Sequence, residues 1–194
     1  MKKRNIILLA GLVLPVGLTV GCTKTPSAEL RDGLEVVAHE RDPARLAMGA
    51  EAFASIGDFG RAAQYYSAAL EQGADEGVIV PKLIDVYVRD KQYRAACWRA
   101  KTYLQKHPQE TSLRFVLANL IAGLGDPTVA RQELEQVLRE EPSNANAHYA
   151  LAVLLRDEAA ELSLADEHFR EYLHLSPAGP HADEARGSLL KRVR

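Results

Sequence analysis

The chain lacks a surplus of positive charge. Its 194 residues carry 24 Lys and Arg against 26 Asp and Glu, so little is available to neutralise a phosphate backbone, which argues against a nucleic-acid binder. It has only two cysteines, too few for a disulfide framework or a cluster of soft metal ligands. A membrane-spanning helix needs about 20 apolar residues. The apolar stretch from Ile6 to Val20 is shorter than that and is broken by Gly11, Pro15 and Gly17. The sequence also has no HExxH, no GxSxG, no Gly-rich phosphate loop and no CxxC or CxxCH, the spacings that mark zinc hydrolysis, serine hydrolysis, nucleotide binding and thiol or haem chemistry. What it does have, 47% apolar and 26% charged residues, is the balance of a folded soluble protein of one or two domains.

The N-terminus reads as an address. Met1-Lys2-Lys3-Arg4 precedes the apolar stretch, the layout of a cleaved signal peptide, with an uncleaved anchor as the alternative. The stretch closes on Thr19-Val20-Gly21-Cys22. This resembles the lipobox of bacterial lipoproteins, with Thr19 in place of the usual Leu. The resemblance implies a signal peptide over 1–21 and a diacylglyceryl thioether on Cys22, with palmitate among the acyl groups, followed by a tether over 22–27. Each buried methylene of such an anchor contributes roughly 0.8 kcal/mol. Thr23, rather than Asp, follows Cys22, which by the same resemblance implies the periplasmic face of the outer membrane. Cys97 is left with no partner in the chain and reads as a buried small hydrophobe.

From residue 43 onward the sequence repeats every 34 residues. Phe53, Tyr87, Ile121 and Leu155 fall in one column; Ala50, Ile84, Ala118 and Ala152 in another; Gly49, Leu83, Leu117 and Leu151 in a third. Ala62, Ala96 and Ala130 continue to Ala165 after one extra residue, as do Tyr66, Ala100, Leu134 and Phe169. Ala74, Pro108, Pro142 and Pro177 close the units. Gly57-Asp58-Phe59 and Gly125-Asp126-Pro127 occupy the same turn two periods apart. A fixed period of this length signals a solenoid of supersecondary units. Asp42-Pro43 supplies an N-cap and a first-turn proline, and the prolines at the unit ends stop helices because the residue before Pro avoids helical torsions.

These columns resemble the tetratricopeptide repeat (TPR) family: a 34-residue helix–turn–helix with small residues where its helices touch and a closing proline. Arg114 and His148 depart from the pattern, standing where a bulky apolar residue is usual. The resemblance implies an all-α fold, a right-handed superhelix with units over about 43–76, 77–110, 111–144 and 145–179, within a domain of 28–194. Capping segments are expected at both ends. Leu30, Leu34 and Val37 suggest a helix over 28–40. Ala182, Ala185, Leu189 and Val193 suggest one over 180–193, opened by Pro180. About ten helices follow. Ser163 with Asp166 reads as a capping box.

No residue stands out as catalytic, cofactor-binding or metal-binding. His168 and Glu171 are three apart on a helix and could share a metal, but two ligands without a third are a thin basis for a metal-assisted hydrolase, the reading of another class. In the resembled family, the first helix of each unit lines the concave wall. Four columns map there: Ala44, Val78, Ser112, Asn146; Ala47, Pro81, Phe115, Tyr149; Glu51, Asp85, Asn119, Val153; and Ala54, Val88, Ala122, Arg156. Of the Lys, Asn and Arg that clamp a peptide carboxylate in chaperone-binding members, only Asn119 is present. The candidate groove residues are therefore Glu51, Val78, Asp85, Val88, Phe115, Asn119, Tyr149 and Arg156. They suggest a small apolar groove with an acidic edge, fit for an apolar peptide carrying a Lys or Arg. Alternatively, Phe115 and Tyr149 only pack on their neighbours. The combined expectation is a non-enzymatic, lipid-anchored scaffold of the cell envelope. It would bind protein segments, no nucleic acid and no small-molecule substrate. Assembly of a type IV or Flp pilus or of a secretin is the leading context, with adaptors for outer-membrane insertion or cell-wall enzymes as the alternative.

Overall fold

The computed structural model describes residues 40–157 and 161–190. Nine helices and no strands occur among them: α1 (Pro43–Ser55), α2 (Phe59–Glu71), α3 (Glu76–Arg89), α4 (Tyr93–Lys106), α5 (Thr111–Gly123), α6 (Pro127–Glu140), α7 (Ala145–Asp157), α8 (Leu162–Leu175) and α9 (Ala182–Ser188). Each helix packs on the next along the chain, and α5 also touches α7. The fold is a helical solenoid of four helix pairs closed by a short terminal helix. The leader, Cys22, the tether and the helix expected over 28–40 lie outside the described residues.

The periodic residues determine how each pair turns. Between the helices of pairs one to three, the chain passes through a left-handed residue at Gly57, Lys91 and Gly125. The very next N–H reaches back across the turn: Asp58, Gln92 and Asp126 donate to the carbonyls of Phe53, Tyr87 and Ile121. These bonds satisfy carbonyls that the helix end leaves orphaned. In the fourth pair, Glu161 donates to the Leu155 carbonyl from one residue further on, which accounts for the extra residue in the period. The Asp58 and Asp126 side chains accept from the N–H groups of Arg61 and Val129 and so cap α2 and α6.

The unit ends follow the proline logic. His107, Glu141 and Ser176, the residues before Pro108, Pro142 and Pro177, all leave the helical region, with ψ at 65°, 78° and 70°, and so end α4, α6 and α8. Where the first unit has Ala74, Gly73 at φ +88° does the same work, and the Ala74 N–H closes on the Ala69 carbonyl. Ala50, Ala62, Ala96, Ala118, Ala130 and Ala152 are completely buried where helices cross. Two core clusters meet through Leu70 and Tyr87, which pack against both, so the interior is continuous. Cys97 is buried within it, and burial pushes its thiol pKa up.

Two expected elements differ. α8 begins at Leu162 with Glu161 as N-cap, so Ser163 already lies inside the helix and the capping box with Asp166 does not form. The extra residue in the preceding turn moves the helix start. The terminal helix occupies only Ala182–Ser188 of the expected 180–193. Pro180 sits in the turn before it, and Leu189 is extended rather than helical. Gly187 weakens the last turn, and the Leu190 N–H donates to Asp166 Oδ1 at 2.7 Å, drawing the chain onto α8. Ala182 and Ala185 are buried as the stripe predicts; Val193 lies outside the described residues.

Candidate binding groove

A cavity of about 670 Å³ opens in the C-terminal half. Two parallel helix faces build it. Phe115, Asn119 and Ala122 follow one another at helical spacing on α5; Asn146, Tyr149, Ala150, Val153 and Asp157 do so on α7. Leu134 and Leu154 form its floor, while Pro180 and His181 close one end. The walls are mostly apolar. Asn119 donates through Nδ2 to the Phe115 carbonyl at 2.8 Å, which leaves its Oδ1 as an acceptor for a ligand's N–H.

The closed end is held by a polar cluster. The His181 ring stacks on Tyr149 with centroids 4.0 Å apart and planes 9° from parallel. The His181 N–H donates to the Tyr172 hydroxyl at 3.0 Å. Tyr149 donates its hydroxyl proton to Glu184, and Arg156 donates to Ser188 Oγ at 2.7 Å. Arg156 also pairs with Asp157 and Glu184. Burial, reinforced by the Glu184 hydrogen bond, pushes the Tyr149 phenol up to about 12. The Tyr149 hydrogen bond and the Arg156 charge hold the Glu184 carboxyl below its usual range. Tyr149 and Arg156 thus fasten α9 across the end of the groove; Tyr149 also offers it a ring face.

Of the eight groove residues read from the sequence, the cavity gathers Phe115, Asn119 and Tyr149. Arg156 is turned into the clamp on α9. Glu51, Val78, Asp85 and Val88 sit on α1 and α3, away from the cavity. The acidic edge is not an open charge: Glu51 pairs with Lys82, and Asp85 with Arg89 at 3.1 Å. Both partners come from helical neighbours that the column view does not align. The sequence columns did not place Pro180 and His181 in the groove, because both lie beyond the last repeat and no column contains them. Asn146 did stand in a groove column.

The two polar departures from the repeat pattern have partners. Arg114 pairs with Glu133 at 2.9 Å and donates to the Pro108 carbonyl at 2.8 Å. His148, one period on, meets His168 Nδ1 through its own Nδ1 at 2.9 Å, and its Nε2 lies 3.0 Å from the Pro142 carbonyl. Because Nε2–H must serve that carbonyl, neutral His148 accepts at Nδ1 and His168 donates. His168 therefore turns its Nδ1 to His148; among the described residues no group of three His, Cys, Asp or Glu could hold a metal ion.

No protein-family model and no curated protein sequence matches the chain. Solved structures do. A MamA fragment from Desulfovibrio magneticus RS-1 superposes with a TM-score of 0.64 at 20% identity, over 78% of this chain and 85% of that one. YrrB, described as a TPR protein with an unusual peptide-binding site, gives a TM-score of 0.67 at 17% identity, over 82% and 86%. A tetratricopeptide repeat protein from Parabacteroides merdae gives a TM-score of 0.69 at 18% identity, over 75% and 58%. At these identities the likeness concerns the fold, which is the tetratricopeptide-repeat solenoid.

Proposed function

We propose that this chain is a scaffold that binds a segment of a partner protein in the groove between α5 and α7. The observation that carries the reading is the 670 Å³ recess itself: apolar walls, one ring face and an amide acceptor on adjoining helix faces. Such a surface takes apolar side chains of an extended or helical peptide and fixes their backbone through a few hydrogen bonds. Its charges are internally paired, so the ligand segment is apolar and uncharged. The peptide-binding site in the name of YrrB supports this use of a similar fold.

The cell envelope is the proposed setting. It rests on the signal-like leader and the Gly21-Cys22 junction, which point to Cys22 as the lipidation site, and on Thr23 after it, which points to the outer membrane. Assembly of a pilus or secretin complex is the proposed process. Cys22→Ser should abolish palmitate labelling and leave an unprocessed precursor; continued labelling overturns the anchor.

Groove binding is tested by substitution of an exposed lining residue. Asn119→Arg places a long cation in the recess without disturbing the core. Proteins recovered by wild type from an envelope extract should be lost from this variant and retained by Gln132→Arg, on the side of α6 opposite Ala130 and Leu134. Equal recovery by both overturns the assignment.

A further inference from the structure

Among the described residues most of the Lys and Arg side chains are ion-paired, and four of the six that are not lie together. Arg45, Arg61, Lys82, Arg89, Lys106, Arg114, Arg131, Arg156, Arg170 and Arg186 each have a carboxylate within ion-pair distance. Apart from Arg41 and Arg139, the described cations without an acidic partner among the described residues are Lys91, Arg94, Arg99 and Lys101. All four lie on α4 or the turn that leads into it.

The same stretch exposes the chain's single tryptophan. Trp98 is 62% accessible, and Tyr93, at the start of α4, is 43% accessible. Arg94, Trp98 and Lys101 are four and three residues apart, so they share the outward face of the helix, opposite the buried Ala96, Ala100 and Tyr103. The Arg99 guanidinium lies 5.3 Å from the Trp98 ring centre, adding a cation beside the indole. Next to this face, Lys91, Tyr93, Arg94 and Leu124 border a shallow cleft of about 470 Å³. Of the acids around it, Glu133 is paired with Arg114 and Glu76 with Lys106, while Asp90 and Asp126 keep their charge, the first accepting from Gln92 Nε2 and the second capping α6.

We propose that the outer face of α4, with the adjoining cleft, docks on an anionic phospholipid bilayer. Three features favour a membrane over an acidic protein. Indole and phenol rings are amphipathic and settle at the level of lipid headgroups. Unpaired Lys and Arg beside them draw the surface to anionic lipid. The face is one exposed helix side, which suits a plane, and it carries local positive charge on a chain whose formal net charge is −2. The surface is separate from the groove and does not depend on acylation of Cys22. If that acylation occurs, the patch would fix how the solenoid sits against the bilayer.

The single tryptophan provides the readout. The chain from residue 22, carrying Cys22→Ser so that no acyl group contributes, is mixed with vesicles of phosphatidylglycerol and phosphatidylethanolamine and with vesicles of phosphatidylcholine alone. The anionic vesicles should sediment the protein and shift Trp98 emission to the blue, and high salt should reverse both. The neutral vesicles should do neither. Arg94→Ala with Lys101→Ala should weaken binding by roughly thirtyfold, whereas Arg139→Ala should not. Emission already blue-shifted in buffer, equal binding to neutral vesicles, or undiminished binding by the double variant overturns the proposal. So does preferential capture by an acidic polypeptide that displaces the vesicles.

Discussion

At the residue scale, one column shows how repeats with different side chains reach the same packing. Gly49 stands where the other units have Leu83, Leu117 and Leu151. A Cβ at Gly49 would lie 2.7 Å from Cδ1 of Tyr65, so the tyrosine ring of α2 fills the space that leucine fills elsewhere. Gly49→Leu, which makes the first unit look more regular, should therefore destabilise by about 1–3 kcal/mol. Tyr65→Ala should recover part of that loss in a double-mutant cycle followed by urea unfolding. Additive losses contradict the reading. The sequence exposed the column but not its compensation, because the partner lies in the second helix. Arg114 and His148 were visible as departures for the same reason, while their partners Glu133 and His168 were not. His168 titrates. Burial, aided by His148, holds the His168 imidazole below its usual pKa, so the unfolded chain binds the proton more readily. Stability should then fall as pH drops below about 6.5 toward the lowered folded value. The groups near His168 include Glu135, Glu167 and Arg131, and the lowered carboxyls of Asp58 and Glu184 add losses at more acid pH. Urea midpoints at pH 5 should lie below those at pH 7.5, with a smaller gap in His168→Leu. An unchanged gap rules His168 out as the source.

At the element scale, helix ends were the most legible feature. A proline after α4, α6 and α8 dictates where each stops, whatever the packing. The starts were less legible. The turn before α8 absorbs one extra residue, and that shift converts Ser163 from an apparent cap into a first-turn residue. α9 lies outside the period altogether, so its ends rested on apolar spacing and on Pro180, neither of which registers Gly187 or the pull of Asp166 on the Leu190 N–H. The turn that delivers α9 is tight at Gly179. A Cβ there would meet Tyr172 Oη at 2.5 Å and Ser176 Oγ at 2.3 Å. The serine can rotate away, but the tyrosine hydroxyl is committed to the His181 N–H. Gly179→Ala should thus loosen α9 and the His181 stack on Tyr149. Amide exchange should speed up at residues 181–188 while α1 to α4 stay unchanged; unaltered exchange at α9 contradicts this.

At the scale of the whole molecule, the period fixes the solenoid, and the family resemblance assigns the first helix of each unit to its inner wall. It does not say which stretch of that wall becomes a recess. Closure needs Pro180, His181 and α9, which break the repeat, and charge pairing needs neighbours such as Lys82 and Arg89 that no column aligns with Glu51 and Asp85. Three of the eight residues picked from the columns line the cavity, and those three lie in the last two units, where the terminal segment completes it. The account's central claim is that a partner segment lies between α5 and α7. It is tested most directly by a photo-crosslinking amino acid placed in turn at positions 119, 153 and 132 of the otherwise native chain in its own cells. The account predicts one and the same protein crosslinked from 119 and 153, with little or none from 132. A partner captured from 132 and absent from 119 and 153 would contradict it.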